Sequence, residues 1–151
     1  PVADAGHAVL WFSVAMTITR FAGDWLTAHI RPHLLLAVPL IIAACLLMVA
    51  VGTAQVAMLM SAYVVMGLAL GNAFPIIVSE AGHAAGDRPL REISIIVGFA
   101  YVGLISGPAM FGVTAHLIGL DSTLMLLGAL AFILGVASFA MPRFTGRGTA
   151  G

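Results

Sequence analysis

Long stretches without charged residues dominate the chain. Leu34–Ser79 contains no Asp, Glu, Lys or Arg, and Ile93–Pro142 contains only Asp121. A membrane-spanning helix needs roughly 20 apolar residues to cross about 30 Å of hydrocarbon. Each stretch is therefore long enough for two such helices joined by a short turn, and the apolar stretch Val2–Ala22 is long enough for one more.

This pattern predicts an all-α integral membrane protein with five transmembrane helices. Helices are favoured over a barrel because barrel strands alternate in polarity over about ten residues, whereas these apolar runs are unbroken. Pro142 is expected to end the last helix. The predicted spans are 2–22, 34–52, 56–79, 93–118 and 123–141. They form one transmembrane domain, residues 1–142, which a tail of residues 143–151 follows.

The basic residues predict the orientation of these spans. The chain has six arginines and no lysine, in the pairs Arg20/Arg31, Arg88/Arg91 and Arg143/Arg147. Cytoplasmic loops carry the excess of Lys and Arg in membrane proteins. The loops 23–33 and 80–92 and the C-terminus are therefore expected in the cytoplasm, with Pro1 outside, in a bacterial inner membrane. Such a start predicts that further spans precede Pro1 and that the chain is a C-terminal fragment.

The composition excludes several classes of protein. Hydrophobic residues make up 62% and charged residues 8%, against about 25% charged in soluble domains, so the lipid bilayer is the expected solvent. A net charge of +0 and the lack of a basic stripe argue against a nucleic-acid partner. Cys45 is the only cysteine, which excludes an internal disulfide, and we expect it to be buried and inert.

Pairs of glycines at helical spacing predict where the spans pack. Helices approach closely in lipid where small residues remove side-chain bulk. The pairs are Gly67/Gly71 in the third span, Gly103/Gly107 in the fourth and Gly128/Gly135 in the fifth. We expect these pairs to mark contacts within one compact bundle.

Several motifs resemble those of a transporter family. The segment Arg20–His33, with the pattern R-x-x-G-D, follows one span and precedes another. It resembles the cytoplasmic loop of the major facilitator superfamily, in the variant of sugar-permease-like members. The usual pattern of that loop in the family is G-x-L-x-D-R-x-G-R-R. Ala28, His29 and Arg31 stand at its acidic, first basic and second glycine positions, so the chain departs from the pattern there. Three further segments fit the same branch: Gly67–Pro75, Gly98–Gly103 and Gly107–Gly112.

The resemblance implies both a fold and a function. The five spans correspond to helices 8 to 12 of a twelve-helix transporter, a partial C-terminal half of its bundle, whose partners would include the preceding helices of the same protein. The implied activity is secondary transport of a small polar solute, such as a sugar or related metabolite, by alternating access around a midplane site. The alternative is a membrane scaffold or binding subunit that transports nothing.

The loop supplies three candidates for a cytoplasmic gate. Asp24 and Arg31 could form a charge pair that latches the inner gate, and Arg20, one turn before Asp24, could replace Arg31 as the partner. The alternative is that these are solvated charges that only set topology, since an exposed ion pair contributes about 0–1 kcal/mol.

The spans supply the candidates for a substrate cavity. Ser61, Asn72 and Ser79 fall on one face of the third span, which the resemblance identifies with a cavity-lining helix. Asn72, predicted near the middle of this helix, is the first candidate for a solute contact; the alternative is a structural hydrogen bond to a neighbouring helix. The other candidates are Ser13 and Thr17, which form a polar stripe on the first span, and the aromatic residues Tyr63, Phe74 and Tyr101, which could stack on a ring or serve only in packing.

An enzyme, a cofactor and a metal site are not expected. Intramembrane hydrolysis needs a nucleophile with a base, paired carboxylates or a metal at depth. No Asp or Glu lies in the middle of a predicted span, and no His-x-x-x-His or His-Glu pair on one helix suggests a metal site.

Overall fold

The chain is all-helical in the part that its computed structural model describes, residues 2–84 and 89–139. Within these ranges the side chains of residues 2–5, 24, 83, 84, 89 and 92 lie outside the description. The described residues contain no strand. They form six helices: α1 (Val2–Phe21), α2 (Gly23–His29), α3 (Pro32–Thr53), α4 (Val56–Ala84), α5 (Pro89–Ile118) and α6 (Leu120–Ser138).

Four of the described helices are long and apolar enough to cross a membrane. The candidate spans are Pro32–Thr53, Val56–Gly82, Ile93–Ile118 and Leu120–Ser138. The predicted all-helical fold is therefore confirmed for the described residues, and these four helices support a membrane protein. α1 closely matches the predicted first span but is not among the four candidates, so the fifth crossing stays a prediction.

Several helix ends carry residues whose backbone conformation favours a helix terminus. Pro32 opens α3, a position at which its missing N–H would have no helical partner. α3 ends at Thr53, and the left-handed conformation of the next residue, Ala54 (φ 52°), is typical of a helix C-terminus. A single residue, Gly119, separates α5 from α6. Its φ of 86° is one that glycine adopts without a steric penalty.

The basic segment predicted as a loop is partly helical. Ala22, between α1 and α2, has right-handed helical angles. The Ala22 N–H donates to the Ile18 carbonyl, and the Leu26 N–H donates to the Ala22 carbonyl. α2 therefore continues α1 across a local break. Charge predicts depth in a bilayer, but it does not interrupt the hydrogen bonding of the backbone, so the loop was predicted too long.

The chain divides into two compact units. The first comprises residues 1–73 and 124–151, and the second comprises residues 74–123. The N-terminal part of α4 and most of α6 thus belong to the first unit, together with α1, α2 and α3. The second unit holds the remainder of α4, α5 and the first residues of α6.

Small residues of α3 allow close packing in the first unit. Ala37, Ala43 and Ala44 have no exposed surface. Beside them, Leu47 of α3 forms a buried cluster with Ala62 of α4 and Leu124 of α6. Gly135 of α6 lies so close to α3 that a Cβ on it would stand 3.3 Å from the Ala37 carbonyl oxygen. Gly128 also contacts α3, so this predicted pair marks a helix contact.

A second close contact joins α1 and α4, and we call it the glycine seam: Gly67 and Gly71 of α4 against Phe12 and Met16 of α1. A Cβ on Gly67 would stand 2.5 Å from the Phe12 carbonyl oxygen, and one on Gly71 would stand 2.8 Å from that of Met16. Both obstacles are backbone atoms, which cannot rotate away. The seam therefore requires glycine at both positions.

The second unit is packed very differently. Large apolar side chains on α5 are mostly exposed, among them Phe99 at 75%, Ile105 at 78% and Leu117 at 74%. Gly103 and Gly107 have no atom within 4 Å of where a Cβ would stand. This predicted pair marks no contact among the described residues.

Cys45 is exposed rather than buried. It lies on α3 between Ala44, which has no exposed surface, and Leu46, which is half-buried. The apolar character of α3 on all sides had suggested burial. In a bilayer, however, an apolar face is free to point at lipid.

Substitution of the seam glycines tests this packing. Gly67→Ala is expected to lower the free energy of unfolding by about 1–3 kcal/mol, because the new methyl group forces α1 and α4 apart. The matched control Gly103→Ala adds the same methyl group in open space and is expected to cost nothing. Thermal unfolding in detergent, followed by circular dichroism, measures both. Equal effects of the two substitutions would contradict the seam.

Candidate functional site

Asn72 is the most unusual polar residue in the first unit. It lies on α4 directly after Gly71 and is only 4% exposed. Its side-chain Nδ2 is sealed from solvent and has no hydrogen-bond partner among the described residues. A buried donor without a partner costs about 1–3 kcal/mol. Such a group is rare enough in folded proteins to require an explanation.

The neighbour of Asn72 is the backbone of the α1–α2 junction. A Cβ on Gly23, the first residue of α2, would stand 2.8 Å from the Asn72 Oδ1 and 3.4 Å from its Cγ. We call this the junction contact: Gly23 against the amide of Asn72. It extends the glycine seam by one turn of α1, where Thr19 packs on Gly71. Gly23 is the glycine of the R-x-x-G-D pattern.

The junction contact brings two sets of predicted site residues into one region. Asn72 was predicted as a solute contact, whereas Arg20 and Asp24 were predicted as gate residues, and Gly23 lies between them in sequence. Arg20 and Arg31 are both exposed. The side chain of Asp24 lies outside the described residues, so the predicted charge pair stays a prediction. Asn72 lies near the middle of α4, at the level where α1 ends.

α2 presents an aromatic and basic surface beside this contact. Trp25 is 64% exposed, and its ring stacks on that of His29 with 4.7 Å between the ring centroids. The His29 Nδ1 lies 2.8 Å from the Trp25 carbonyl oxygen. Exposed Trp residues concentrate at membrane–water interfaces, so this surface is consistent with α2 lying at such an interface.

Most hydroxyl groups predicted for the cavity bond to their own helix. The Ser13 Oγ donates to the Val9 carbonyl and the Thr17 Oγ1 to that of Ser13, each at 2.8 Å. The Ser61 Oγ donates to the Met58 carbonyl. These bonds satisfy the hydroxyls without a partner helix or a ligand. Ser13 and Thr17 are exposed, on a side of α1 other than the seam.

The predicted aromatic residues are separated by the division into units. Tyr63 belongs to the first unit and is half-buried, whereas Phe74 and Tyr101 belong to the second unit and are exposed. Ser79 is also exposed in the second unit. Of the predicted cavity residues on α4, Asn72, Ser61 and Tyr63 therefore belong to the first unit.

Tyr63 lines a cavity of about 220 Å³ in the first unit. Its walls come from α1, α3, α4 and α6, through Phe12, Leu47, Ala62, Tyr63, Met66, Leu70, Leu124 and Leu127. Ligand pockets typically measure about 300–1,000 Å³ and carry a few convergent polar groups. Because this cavity is smaller and its walls are almost wholly apolar, it suits an aliphatic group and not a sugar.

The described residues contain no group of three or more His, Cys, Asp or Glu placed to hold a metal ion. Asn72, in contrast, is placed to act as a hydrogen-bond donor. Its Nδ2 carries two N–H donors, and neither has an acceptor among the described residues.

Sequence reasoning selected Asn72 but missed its neighbour. The helical face of Ser61, Asn72 and Ser79 was visible in the spacing, whereas the contact with Gly23 joins residues far apart in sequence. The available signal was the glycine in the R-x-x-G-D segment, since a glycine at a helix break often permits close backbone approach.

Comparison with known proteins assigns no relative. No protein-family model, no curated protein and no solved structure matches the chain. The arguments for function therefore depend on the residues themselves and on the resemblance of their motifs.

The junction contact can be tested by cross-linking. The pair Gly23→Cys and Asn72→Cys, on a Cys45→Ser background, is expected to form a disulfide under mild oxidation. A Cβ on Gly23 would stand 3.4 Å from the Asn72 Cγ, whose place a cysteine sulfur would take, so the two sulfurs can approach each other. A thiol-reactive mass tag on gels measures the bond. Gly23→Cys with Ser61→Cys, about 16 Å away along α4, is the control and should remain reduced.

Proposed function

We propose that the chain is part of a secondary transporter that moves a small polar solute across the inner membrane by alternating access. A sugar or related metabolite is the solute class that the motif resemblance favours. The chain would form part of the C-terminal half of a major facilitator bundle. In this proposal the junction contact lies at the cytoplasmic end of α1 and closes the solute path from that side.

The observation that carries the proposal is the seating of Gly23 on Asn72. It links the basic segment Arg20–Arg31, which resembles the transporter loop, to α4, which the resemblance identifies with a cavity-lining helix. Alternating access needs such a contact, because the path on one side must close when the other opens. Asn72 would then face the solute path only in the open arrangement.

Further support comes from the character of the helices. Four described helices are long and apolar enough to span a bilayer, and no acid lies near the middle of any candidate span. The only polar side chain on α4 that is both buried and unpartnered among the described residues is that of Asn72. A neutral amide suits a neutral polar solute better than a charged one, because an ion would bring an uncompensated charge into the site.

A non-transporting scaffold or binding subunit is the second candidate. The observation that favours it is the exposure of α5, with Phe99, Ile105 and Leu117 each about three-quarters exposed and its glycines open. Helix partners in membranes dock on such faces. A scaffold would not need the junction contact to open.

Transport is tested with the whole encoded protein in proteoliposomes. A panel of radiolabelled hexoses, pentoses and polyols is the probe, and saturable counterflow of at least one is expected. On a Cys45→Ser background, oxidation of the Gly23→Cys/Asn72→Cys pair is expected to abolish counterflow, and reduction should restore it. The reason is that the disulfide holds the cytoplasmic path closed.

The matched control is an oxidised Ile41→Cys/Gly135→Cys pair, which joins α3 to α6 at another close contact of the first unit. It is expected to leave counterflow unchanged. Absence of counterflow for every probe, together with normal insertion and cross-linking, would favour the scaffold. Equal inhibition by both disulfides would argue against a specific gate.

The orientation has its own test. A reporter fused after Gly151 is expected to read cytoplasmic, and one inserted in the Ala54–Gln55 turn is expected to read periplasmic, because all arginines fall on one side of the predicted spans. Alkaline phosphatase, active only outside the cytoplasm, measures both positions. Phosphatase activity after Gly151 would overturn the proposed orientation.

A further inference from the structure

We propose that Asn72 makes the junction contact a reversible one: its unpaired amide raises the free energy of the closed arrangement and gains an acceptor when the α1–α2 junction leaves α4. Asn72 is in this proposal a positioning residue that sets how often the contact opens. The inference depends on geometry alone and not on the proposed transport.

The interface that α1 and α2 form with α4 differs at its two ends. In the glycine seam, Gly67 and Gly71 lie on backbone atoms of α1. The polar side chain of Thr19 also contacts Gly71, but its hydroxyl donates to the Ala15 carbonyl. One residue further, the neighbour of Gly23 is a polar amide whose Nδ2 is sealed and unpartnered among the described residues. Among the described residues the seam thus leaves no buried polar side chain without a hydrogen-bond partner, whereas the junction contact leaves the Asn72 Nδ2 without one.

The unpaired Nδ2 donor of Asn72 raises the free energy of the closed arrangement. Nδ2 could donate two hydrogen bonds in water, and burial removes both without a replacement from the described residues. Gly23 stands against this amide, since a Cβ on it would lie 3.4 Å from Nδ2. Separation exposes Nδ2 to water or to another acceptor oxygen, so the amide favours the open arrangement relative to an apolar side chain of the same shape.

The element that covers the amide lies at a local break between helices. α2 is only seven residues long and has no side-chain cap at Ala22. It joins α1 through a break in which the backbone bonds from Ala22 to Ile18 and from Leu26 to Ala22 remain. A bend between Met16 and Gly23 would lift Thr19 from Gly71 and Gly23 from Asn72 together, without separating Phe12 from Gly67.

The experiment measures opening by thiol labelling in lipid nanodiscs. Thr19→Cys, on a Cys45→Ser background, is the reporter because Thr19 is 7% exposed and packs on Gly71 beside the junction contact. Asn72→Leu replaces the amide with an apolar group of nearly the same shape. It is expected to slow maleimide labelling of the reporter about five- to thirty-fold, since the unpaired donor no longer favours opening.

The matched control is Ser61→Ala, which also removes a polar group from α4, about 16 Å from Asn72. It is expected to leave the labelling rate unchanged. Should Asn72→Leu fail to insert, Asn72→Met carries the same expectation, because its flexible apolar side chain adapts to the available shape.

Faster labelling in Asn72→Leu would overturn the proposal, because it would mean that the amide has an acceptor and holds the contact closed. An unchanged rate would also overturn it, since the amide would then be energetically neutral. Neither outcome bears on counterflow, so this inference and the proposed transport can fail separately.

Discussion

The whole architecture depends on the requirement that backbone polar groups be paired inside the protein where no water is present. Each unpaired N–H or C=O in hydrocarbon costs several kcal/mol, and helices pair these groups within a single segment. The described hydroxyls follow the same rule, because Ser13, Thr17 and Ser61 donate to carbonyls of their own helices. Against this background an unpaired amide such as that of Asn72 is an exception, and exceptions are where function is expected.

The sequence predicted the helices well because their signal is local. Unbroken apolar runs predicted the spans 34–52, 93–118 and 123–141, which lie close to α3 (Pro32–Thr53), α5 (Pro89–Ile118) and α6 (Leu120–Ser138). The last helix ends at Ser138, before the Pro142 that was expected to end it. The helical segment α2 was not predicted, since its basic and polar residues indicate depth and say little about backbone conformation. Helix propensity and hydropathy are separate properties, and only the second was prominent in that segment.

The contacts between helices were predicted less well, because they depend on residues distant in sequence. Gly67/Gly71 and Gly103/Gly107 have the same spacing, yet the first pair lies on the backbone of α1 while the second lies in open space. The resemblance to a transporter loop drew attention to Arg20–Arg31, and helical spacing drew attention to Asn72. Only three-dimensional proximity connects Gly23 to Asn72, and no periodicity in the chain could have indicated it.

The two kinds of glycine also give the chain an uneven tolerance of change. At Gly67 and Gly71 the available volume ends at backbone atoms of α1, so neither position has room even for alanine without moving a helix. At Gly103 and Gly107 an added Cβ would meet no described atom within 4 Å. Sequence drift is therefore restricted on α4 and open on α5, which leaves α5 as the helix whose surface evolution can adapt to a new neighbour while the first unit keeps its packing.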